Sequence, residues 1–161
     1  MDSGLFVTGT DTDIGKTVVT AGLVAGLQQQ GYDIGAMKPF QSGAVENDGQ
    51  LLAPDLEFIL KTVDLTADYD LLNPVRLKPP LAPSVAAEVE GVEIDIDEVE
   101  SAYNSLQEQY QGLIVEGAGG LMVPLAENFL IPDLVKLFSL SIVVVARPNL
   151  GTINHTVLTV E

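Results

Sequence analysis

The sequence predicts an α/β fold in which helices flank a parallel β-sheet, and two observations support this. Short apolar runs typical of buried strands alternate with longer segments of helical period along the chain. The composition favours a packed core, because 47% of the residues are hydrophobic and only 19% are charged. With 161 residues, the chain is expected to form a single domain.

The first half of the chain is predicted to contain two strands and two helices. The predicted elements are a strand at residues 5–8, a helix at 16–30, a strand at 34–37, a loop at 38–43, a mobile surface loop at 44–53 and a short helix that begins at Pro54. Gly31 suits the left-handed turn that follows a helix. Pro54 suits the first turn of a helix, where its missing N–H is not needed.

The second half continues the alternation. The predicted elements are an irregular proline-containing connection at 69–84, a short helix at 84–90, a helix at 95–110, a strand at 113–116, a helix at 132–138, a strand at 142–145 and a helix that has Thr152 as its N-cap and runs to Glu161. Asp95 and Glu98 resemble a capping box, and the β-branched run at 142–145 is typical of a fully buried strand. A helix after a strand should lead to a further strand, so we expect the domain of residues 1–161 to lack a C-terminal portion.

Charge and composition exclude several classes of partner. The net charge of −16 leaves seven cations, too few for a surface that follows nucleic acid or an anionic membrane. No apolar run approaches the ~20 residues of a membrane span. The absence of cysteine excludes disulfides and fits a cytoplasmic protein. Residues 1–4 lack the basic region of a secretion signal.

The strongest functional signal is the loop at residues 9–17, Gly-Thr-Asp-Thr-Asp-Ile-Gly-Lys-Thr, between a predicted strand and a predicted helix. Gly15 permits close backbone approach, Lys16 supplies a positive charge, and the Thr17 hydroxyl can bind Mg²⁺. Five residues rather than the usual four separate Gly9 from Gly15. The alternative is a glycine-rich turn in which Gly-Lys-Thr occurs by chance. The order of predicted strand, loop and predicted helix favours the phosphate-binding interpretation instead. We therefore expect a P-loop nucleoside triphosphate hydrolase type of fold that binds nucleotide phosphates.

Two further charged residues follow predicted strands. Lys38 comes after the strand at 34–37, which we expect to neighbour the first strand, and Glu116 ends the strand at 113–116. Ligands collect at the carboxyl ends of parallel strands, which would bring both residues to Lys16. The glycines after Glu116 let a ligand approach the backbone. The alternative to a functional role is that Lys38 is an ordinary surface lysine and Glu116 an ordinary solvated carboxylate at the end of a strand.

Other polar residues favour structural explanations. Asp55, near a helix start, can simply interact with the helix dipole. His155, the only histidine, is expected to be buried or hydrogen-bonded rather than catalytic. A solvated acidic face is predicted from Glu88, Glu90, Glu93, Asp95, Asp97, Glu98 and Glu100.

Three motifs together resemble the dethiobiotin synthetase family over essentially the whole chain. They are the loop at 9–17, Lys-Pro-Phe-Gln-Ser-Gly at 38–43 and Glu-Gly-Ala-Gly-Gly at 116–120, and Leu-Gly-Thr-Ile-Asn-His at 150–155 also matches. The resemblance implies ATP-dependent ring closure of 7,8-diaminopelargonate with CO₂ to give dethiobiotin, ADP and phosphate. An amine captures CO₂ as a carbamate, ATP phosphorylates it, and the second amine displaces phosphate. Each stage builds negative charge, so fixed cations and N–H donors are the main requirement.

The resemblance also implies roles for individual residues. Lys16 would bind the β- and γ-phosphates, and Lys38 would stabilise the carbamate and the transferring phosphoryl group. Thr12, a third catalytic candidate, and Ser42 would contact the carbamate and the diamine. The implied nucleotide-binding residues are Asp13, Ile14, Gly15, Lys16, Thr17, Val18, Asp55, Glu116, Gly117, Ala118 and Gly119, and the Mg²⁺ ligands are Thr17, Asp55 and Glu116. A homodimer would bind the substrate carboxylate at the helix start containing Gly151, Thr152 and Asn154.

Three other interpretations remain open at this point. An amidoligase of the cobyrinic acid diamide synthase type shares a similar loop but normally brings a glutaminase cysteine, and the chain has none. A partitioning-type ATPase carries a lysine early in the loop, where this chain has Asp11. A non-catalytic, dimer-forming remnant is the third. Family members continue into a region that supplies adenine recognition and part of the carboxylate site.

Overall fold

The computed structural model describes residues 4–161. In chain order the elements are β1 (Gly4–Gly9), α1 (Lys16–Gln29), β2 (Ile34–Met37), β3 (Phe40–Ser42), β4 (Val45–Asn47), β5 (Gln50–Leu52), α2 (Pro54–Thr62), α3 (Tyr69–Leu72), β6 (Val75–Leu77), α4 (Pro83–Glu90), α5 (Ile96–Gln109), β7 (Gly112–Gly120), β8 (Pro124–Ala126), β9 (Phe129–Leu130), α6 (Ile131–Leu137), β10 (Ser141–Val145) and α7 (Thr152–Val160). Residues 1–3, where the sequence predicts no secretion signal, lie outside this range. Within residues 4–161, no helix is long and apolar enough to cross a membrane.

The central sheet has the strand order β10-β1-β7-β2, and every pairing in it is parallel. The predicted α/β class is therefore confirmed. The expected adjacency of β1 and β2 is wrong, because β7 lies between them. All four strands still end at the same edge of the sheet, as parallel strands must.

The two faces of the sheet pack against different helices. Successive strand residues point to opposite faces, so Phe6 belongs to one apolar cluster and Val7 to the other. The first cluster includes residues of α5 and α6 such as Leu106 and Leu134, and the second includes residues of α1 such as Val24. Helices thus cover both faces, which explains the predominantly apolar strands.

Two segments predicted to be irregular contain regular structure. Residues 44–53, expected as a mobile loop, include the antiparallel hairpin β4–β5. Its turn places Asp48 at φ 49° and Gly49 at φ 80°, as a type I′ turn requires. The proline-containing stretch 69–84 includes α3 and β6, and β6 pairs in parallel with β3. The hairpin forms by local pairing across its turn, whereas β3 and β6 are stabilised by pairing between distant segments.

The C-terminal elements differ in detail from the prediction. Among the described residues β10 pairs only with β1, and Ile142 is 44% exposed, so the predicted full burial of this strand is wrong. Gly151, at φ 97°, precedes α7 as its N-cap, and Thr152 is the first helical residue instead. His155 is exposed rather than in the core. Most of the predicted acidic face is exposed, as expected.

Candidate active site

The loop between β1 and α1 folds back over the end of β1. A Cβ on Gly9 would lie 2.3 Å from Ile14 Cδ1, so a larger residue here would displace the Ile14 side chain from the end of β1. Gly15 has φ +98° and caps α1 in the left-handed conformation, while a Cβ there would meet nothing within 4 Å. Gly15 is therefore required by backbone conformation, and it turns the chain so that α1 begins at Lys16.

The Lys16 side chain lies over this loop and is buried. Its Nζ donates to the main-chain oxygen of Asp11 at 3.0 Å. Burial, followed by the charge of Lys38, lowers the pKa of Lys16 from its ordinary value. An anionic ligand would reverse that effect, because negative charge stabilises the ammonium form. The group is therefore suited to bind phosphate.

The ammonium group of Lys38 lies at the centre of a buried ionic cluster. It contacts Asp55 Oδ2 at 2.7 Å and Glu116 Oε1 at 2.8 Å, and it donates to Gly117 O at 3.0 Å. Glu116 Oε1 also accepts from Thr17 Oγ1 at 2.9 Å. Burial alone would lower the pKa of Lys38, but Glu116 and Asp55 outweigh it and raise that pKa. All three ammonium donors are thus engaged.

The cluster supplies oxygen ligands of the kind that Mg²⁺ prefers. Glu116 Oε2 is buried and has no hydrogen-bond partner among the described residues, so it can accept a cation. Residues 4–161 contain no group of three or more His, Cys, Asp or Glu side chains placed to bind a metal unaided. A magnesium ion here would therefore need hydroxyl, water or phosphate oxygens to complete its coordination, as is common for nucleotide-bound Mg²⁺.

These residues surround a cavity of about 780 Å³ at the carboxyl edge of the sheet. The structure brings these predicted residues into its lining: Thr12, Asp13, Gly15, Lys16, Thr17, Lys38, Ser42, Asp55, Glu116, Ala118 and Gly119. Ile14, Val18 and Gly117 are adjacent in the chain but are not part of the lining. The cavity therefore unites the phosphate loop with both strand-end charges, although β1 and β2 are not neighbours.

The predicted carboxylate-binding residues lie elsewhere. Gly151, Thr152 and Asn154 line a second cavity of about 580 Å³ at the start of α7. The two regions are linked by an ion pair between Asp11 and Arg147 and by a hydrogen bond from Thr10 N to Val145 O at 3.0 Å. Within the described chain, the two sets of predicted residues thus form separate surfaces.

Part of the main cavity was not predicted from the sequence. One wall consists of residues 80–83, which the sequence suggests only as a connection, and Phe40, Gln41 and Val123 also contribute. The Gln41 side chain is buried, and its amide nitrogen donates to Ser42 O at 2.7 Å. Gln41 could have been predicted from the motif at 38–43, because it lies between Lys38 and Ser42, which were both predicted site residues.

Comparison with known proteins agrees with this geometry. A family model described as an AAA domain matches residues 3–161. ATP-dependent dethiobiotin synthetase of Methanococcus vannielii is 48% identical over 157 residues, which are 98% of this chain and 71% of that protein. The enzyme of the same name from Methanocaldococcus jannaschii is 48% identical over 161 residues, 98% of this chain and 72% of that protein. The one from Thermodesulfovibrio yellowstonii is 41% identical over 168 residues, 100% of this chain and 70% of that protein.

Proposed function

This chain belongs to the ATP-dependent dethiobiotin synthetase family, and we propose that it closes the ureido ring of dethiobiotin from 7,8-diaminopelargonate and CO₂. Membership makes it an ATP-dependent ligase that forms C–N bonds in biotin biosynthesis. The observation that best supports the proposed reaction is the buried lysine between two carboxylates, beside a phosphate-binding loop. A cytoplasmic location is part of the proposal and fits a sequence without cysteine.

The phosphate loop and the ionic cluster are suited to hold ATP and Mg²⁺. Lys16 and the N–H groups at the start of α1 would bind the phosphates. Thr17, Asp55 and Glu116 would bind Mg²⁺. ATP supplies the phosphoryl group that activates the carbamate, and Mg²⁺ neutralises charge on its phosphates. The remaining nucleotide contacts would come from the backbone around residues 13–18 and 117–119.

Lys38 is the residue best placed to stabilise the developing negative charge. Its raised pKa keeps the ammonium protonated, so it offers a fixed cation to the carbamate and the transferring phosphoryl group. Since its three donors are engaged, it can bind substrate only by releasing one acceptor. Asp55 is the most accessible candidate, because its side chain is 36% exposed and that of Glu116 is fully buried.

Thr12 and Ser42 are proposed to orient the carbamate and the diamine. Both line the main cavity. A Cβ on Gly119 would lie 3.6 Å from Thr12 Oγ1, which places this hydroxyl beside the glycine-rich end of β7. Ser42 Oγ is buried without a hydrogen-bond partner among the described residues, so it can donate to a substrate oxygen or accept from an amine.

A homodimer is the remaining part of the proposal. The exposed apolar side chains of α7 and the loop before it include Leu150, Ile153 and Leu158. In a dimer, the second cavity would bind the substrate carboxylate through Gly151, Thr152 and Asn154. Backbone N–H groups at the start of α7 provide the donors for such an anion.

The test is ADP release by the full-length protein in the presence of ATP and Mg²⁺. We expect release to require both 7,8-diaminopelargonate and bicarbonate, with either one alone giving only background. ADP release without either compound would indicate a nucleotide-switched ATPase, and release that depends on glutamine or ammonia would indicate an amidoligase. Either result would overturn the proposed reaction.

A further inference from the structure

We infer that residues 69–73, which comprise α3 and Asn73, form a brace that positions Lys38 and Asp55 for catalysis, an inference that rests on the proposed function. One end of the brace is hydrogen-bonded to the backbone of Lys38, and the other end to the backbone of Ala53, two residues before Asp55. Neither Tyr69 nor Asn73 lines the main cavity. Both are therefore positioning residues, which act through the side chains that they hold in place.

The C-terminal end of the brace holds the backbone of Lys38. Asn73 is fully buried, and its side-chain Nδ2 donates to Lys38 O. The neighbouring Leu72 accepts from Lys38 N at 2.8 Å. The parallel ladder between β2 and β7 ends at the pair of Met37 and Val115, so Lys38 lies beyond the strand. The hydrogen bonds with Leu72 and Asn73 therefore hold the Lys38 backbone in place of the strand pairing that ends at Met37.

The N-terminal end of the brace holds the start of α2. The Tyr69 hydroxyl accepts from Ala53 N at 2.9 Å. Ala53 is the N-cap of α2 and has no side-chain group that could cap the helix, and Pro54 has no N–H. Asp55 is the next residue, so the direction in which α2 starts decides where its carboxylate lies. Tyr69 thereby fixes the helix that carries Asp55.

The protonation state of Tyr69 is consistent with this role. Burial raises the pKa of Tyr69 above its ordinary value and outweighs the hydrogen bond from Ala53 N, which lowers it; the carboxylate of Glu57 adds to the rise. The hydroxyl consequently stays neutral throughout the range in which an enzyme of this kind would be assayed. It can accept from Ala53 N while it donates to Glu57.

The two ends of the brace control one geometry. Lys38 Nζ lies 2.7 Å from Asp55 Oδ2, and both groups take part in the proposed chemistry. A displacement of about 1 Å in a catalytic group can reduce a rate about a hundredfold. The phosphate loop does not touch the brace through any of these bonds. Loss of either end should therefore lower turnover. Loss of the Lys38 end should leave ATP affinity nearly unchanged, whereas loss of the Tyr69 end also displaces Asp55, a proposed Mg²⁺ ligand, and should weaken ATP binding.

The chain offers a matched control for each end. Tyr110 also accepts a backbone N–H through its hydroxyl, from Thr66 N at 3.3 Å. Gln28 also donates a side-chain amide to the backbone of β2, at Ile34 O and 2.9 Å, but at the opposite end of the strand. Tyr110→Phe and Gln28→Met remove the same kinds of bond away from the cavity.

The experiment compares Tyr69→Phe and Asn73→Leu with these controls in the full-length protein. We expect kcat to fall about tenfold to a hundredfold in both brace variants, with the KM for ATP close to the wild-type value in Asn73→Leu and raised in Tyr69→Phe. The two controls should keep wild-type kcat.

Asn73→Asp adds a pH dependence, because an ionised carboxylate cannot donate to Lys38 O but a protonated carboxyl can. Its activity relative to wild type should rise as the pH falls, and that of Asn73→Leu should not.

A second readout does not depend on turnover. Hydrogen exchange of the ligand-free protein should become faster at the Ala53 amide in Tyr69→Phe and at the Lys38 amide in Asn73→Leu. If Asn73→Leu does not fold, Tyr69→Phe decides the matter by the same criteria. The inference is overturned if folded brace variants keep kcat within about twofold of wild type, or if the controls lose as much. A wild-type protein that forms no dethiobiotin would instead refute the proposed function.

Discussion

At the scale of single residues, the site depends on charges held where the strands end. Lys38 and Glu116 could be predicted from the sequence, because parallel strands bring their carboxyl ends to one edge. The proposed role of Asp55 came only from the family resemblance, since its position near a helix start has a sufficient structural explanation in the helix dipole. The contact of Asn73 with Lys38 could not be predicted, because the partner of Asn73 is a backbone oxygen 35 positions away in the chain.

Replacing Lys38 is the sharpest test at this scale. We expect Lys38→Ala to lower kcat at least about 10²–10³-fold, because it removes a preorganised cation from the transition state. It should also destabilise the fold by about 3–5 kcal/mol, since Glu116 is left buried with an uncompensated charge. Steady-state kinetics measure the first effect, and urea unfolding measures the second. Lys61→Ala, an exposed lysine on α2, serves as the control, and near-normal turnover in Lys38→Ala would contradict the proposed role.

At the scale of elements, periodicity located most of the helices and the central strands. It missed α3 because four residues are too few to show a helical period. It missed β3 and β6 because each has only three residues and is formed by pairing with the other. The hairpin β4–β5 is a different case. Asp48-Gly49 is a typical type I′ turn sequence, but the polar strands around it resemble a loop.

Two glycine substitutions with opposite expected signs test this assignment. Gly49→Ala should destabilise the protein by about 1 kcal/mol, because alanine is strained at φ +80° although the space around it is open. Gly22→Ala should stabilise it by about 0.5–1 kcal/mol, because Gly22 lies inside α1 with equally open space. Urea unfolding of both variants checks the pair. Equal effects of the two substitutions would argue against the turn geometry.

At the scale of the whole molecule, the fold class followed from the alternation of strands and helices, but the order of strands in the sheet did not. Chain order placed β2 next to β1, whereas the sheet inserts β7 between them, and no local pattern encodes that choice. The burial of β10 among the described residues was likewise overestimated, because β-branched content does not show whether a strand is paired on one side or on both.

The proposed homodimer makes a prediction at this scale. Leu158→Glu should convert the full-length protein to monomers in analytical ultracentrifugation, because it places a charge on the apolar face of α7, where Leu158 is 71% exposed. Val89→Glu on α4 is the control, since Val89 is 65% exposed on a different surface. Added salt should strengthen association, because residues 1–161 of each protomer carry a net charge of −16. A monomeric wild-type protein, or a dimer that survives Leu158→Glu, would count against this interface.

If the cavity at the carboxyl edge of the sheet joins CO₂ to a diamine with ATP, carbon from bicarbonate must appear in the product. The most direct measurement supplies the full-length protein with ATP, Mg²⁺, 7,8-diaminopelargonate and ¹³C-bicarbonate, and analyses the product by mass spectrometry. We expect dethiobiotin that carries a single ¹³C atom in its ureido carbonyl, formed in a one-to-one ratio with ADP. Unlabelled product, or ADP formed without any ring-closed product, would contradict the proposed reaction.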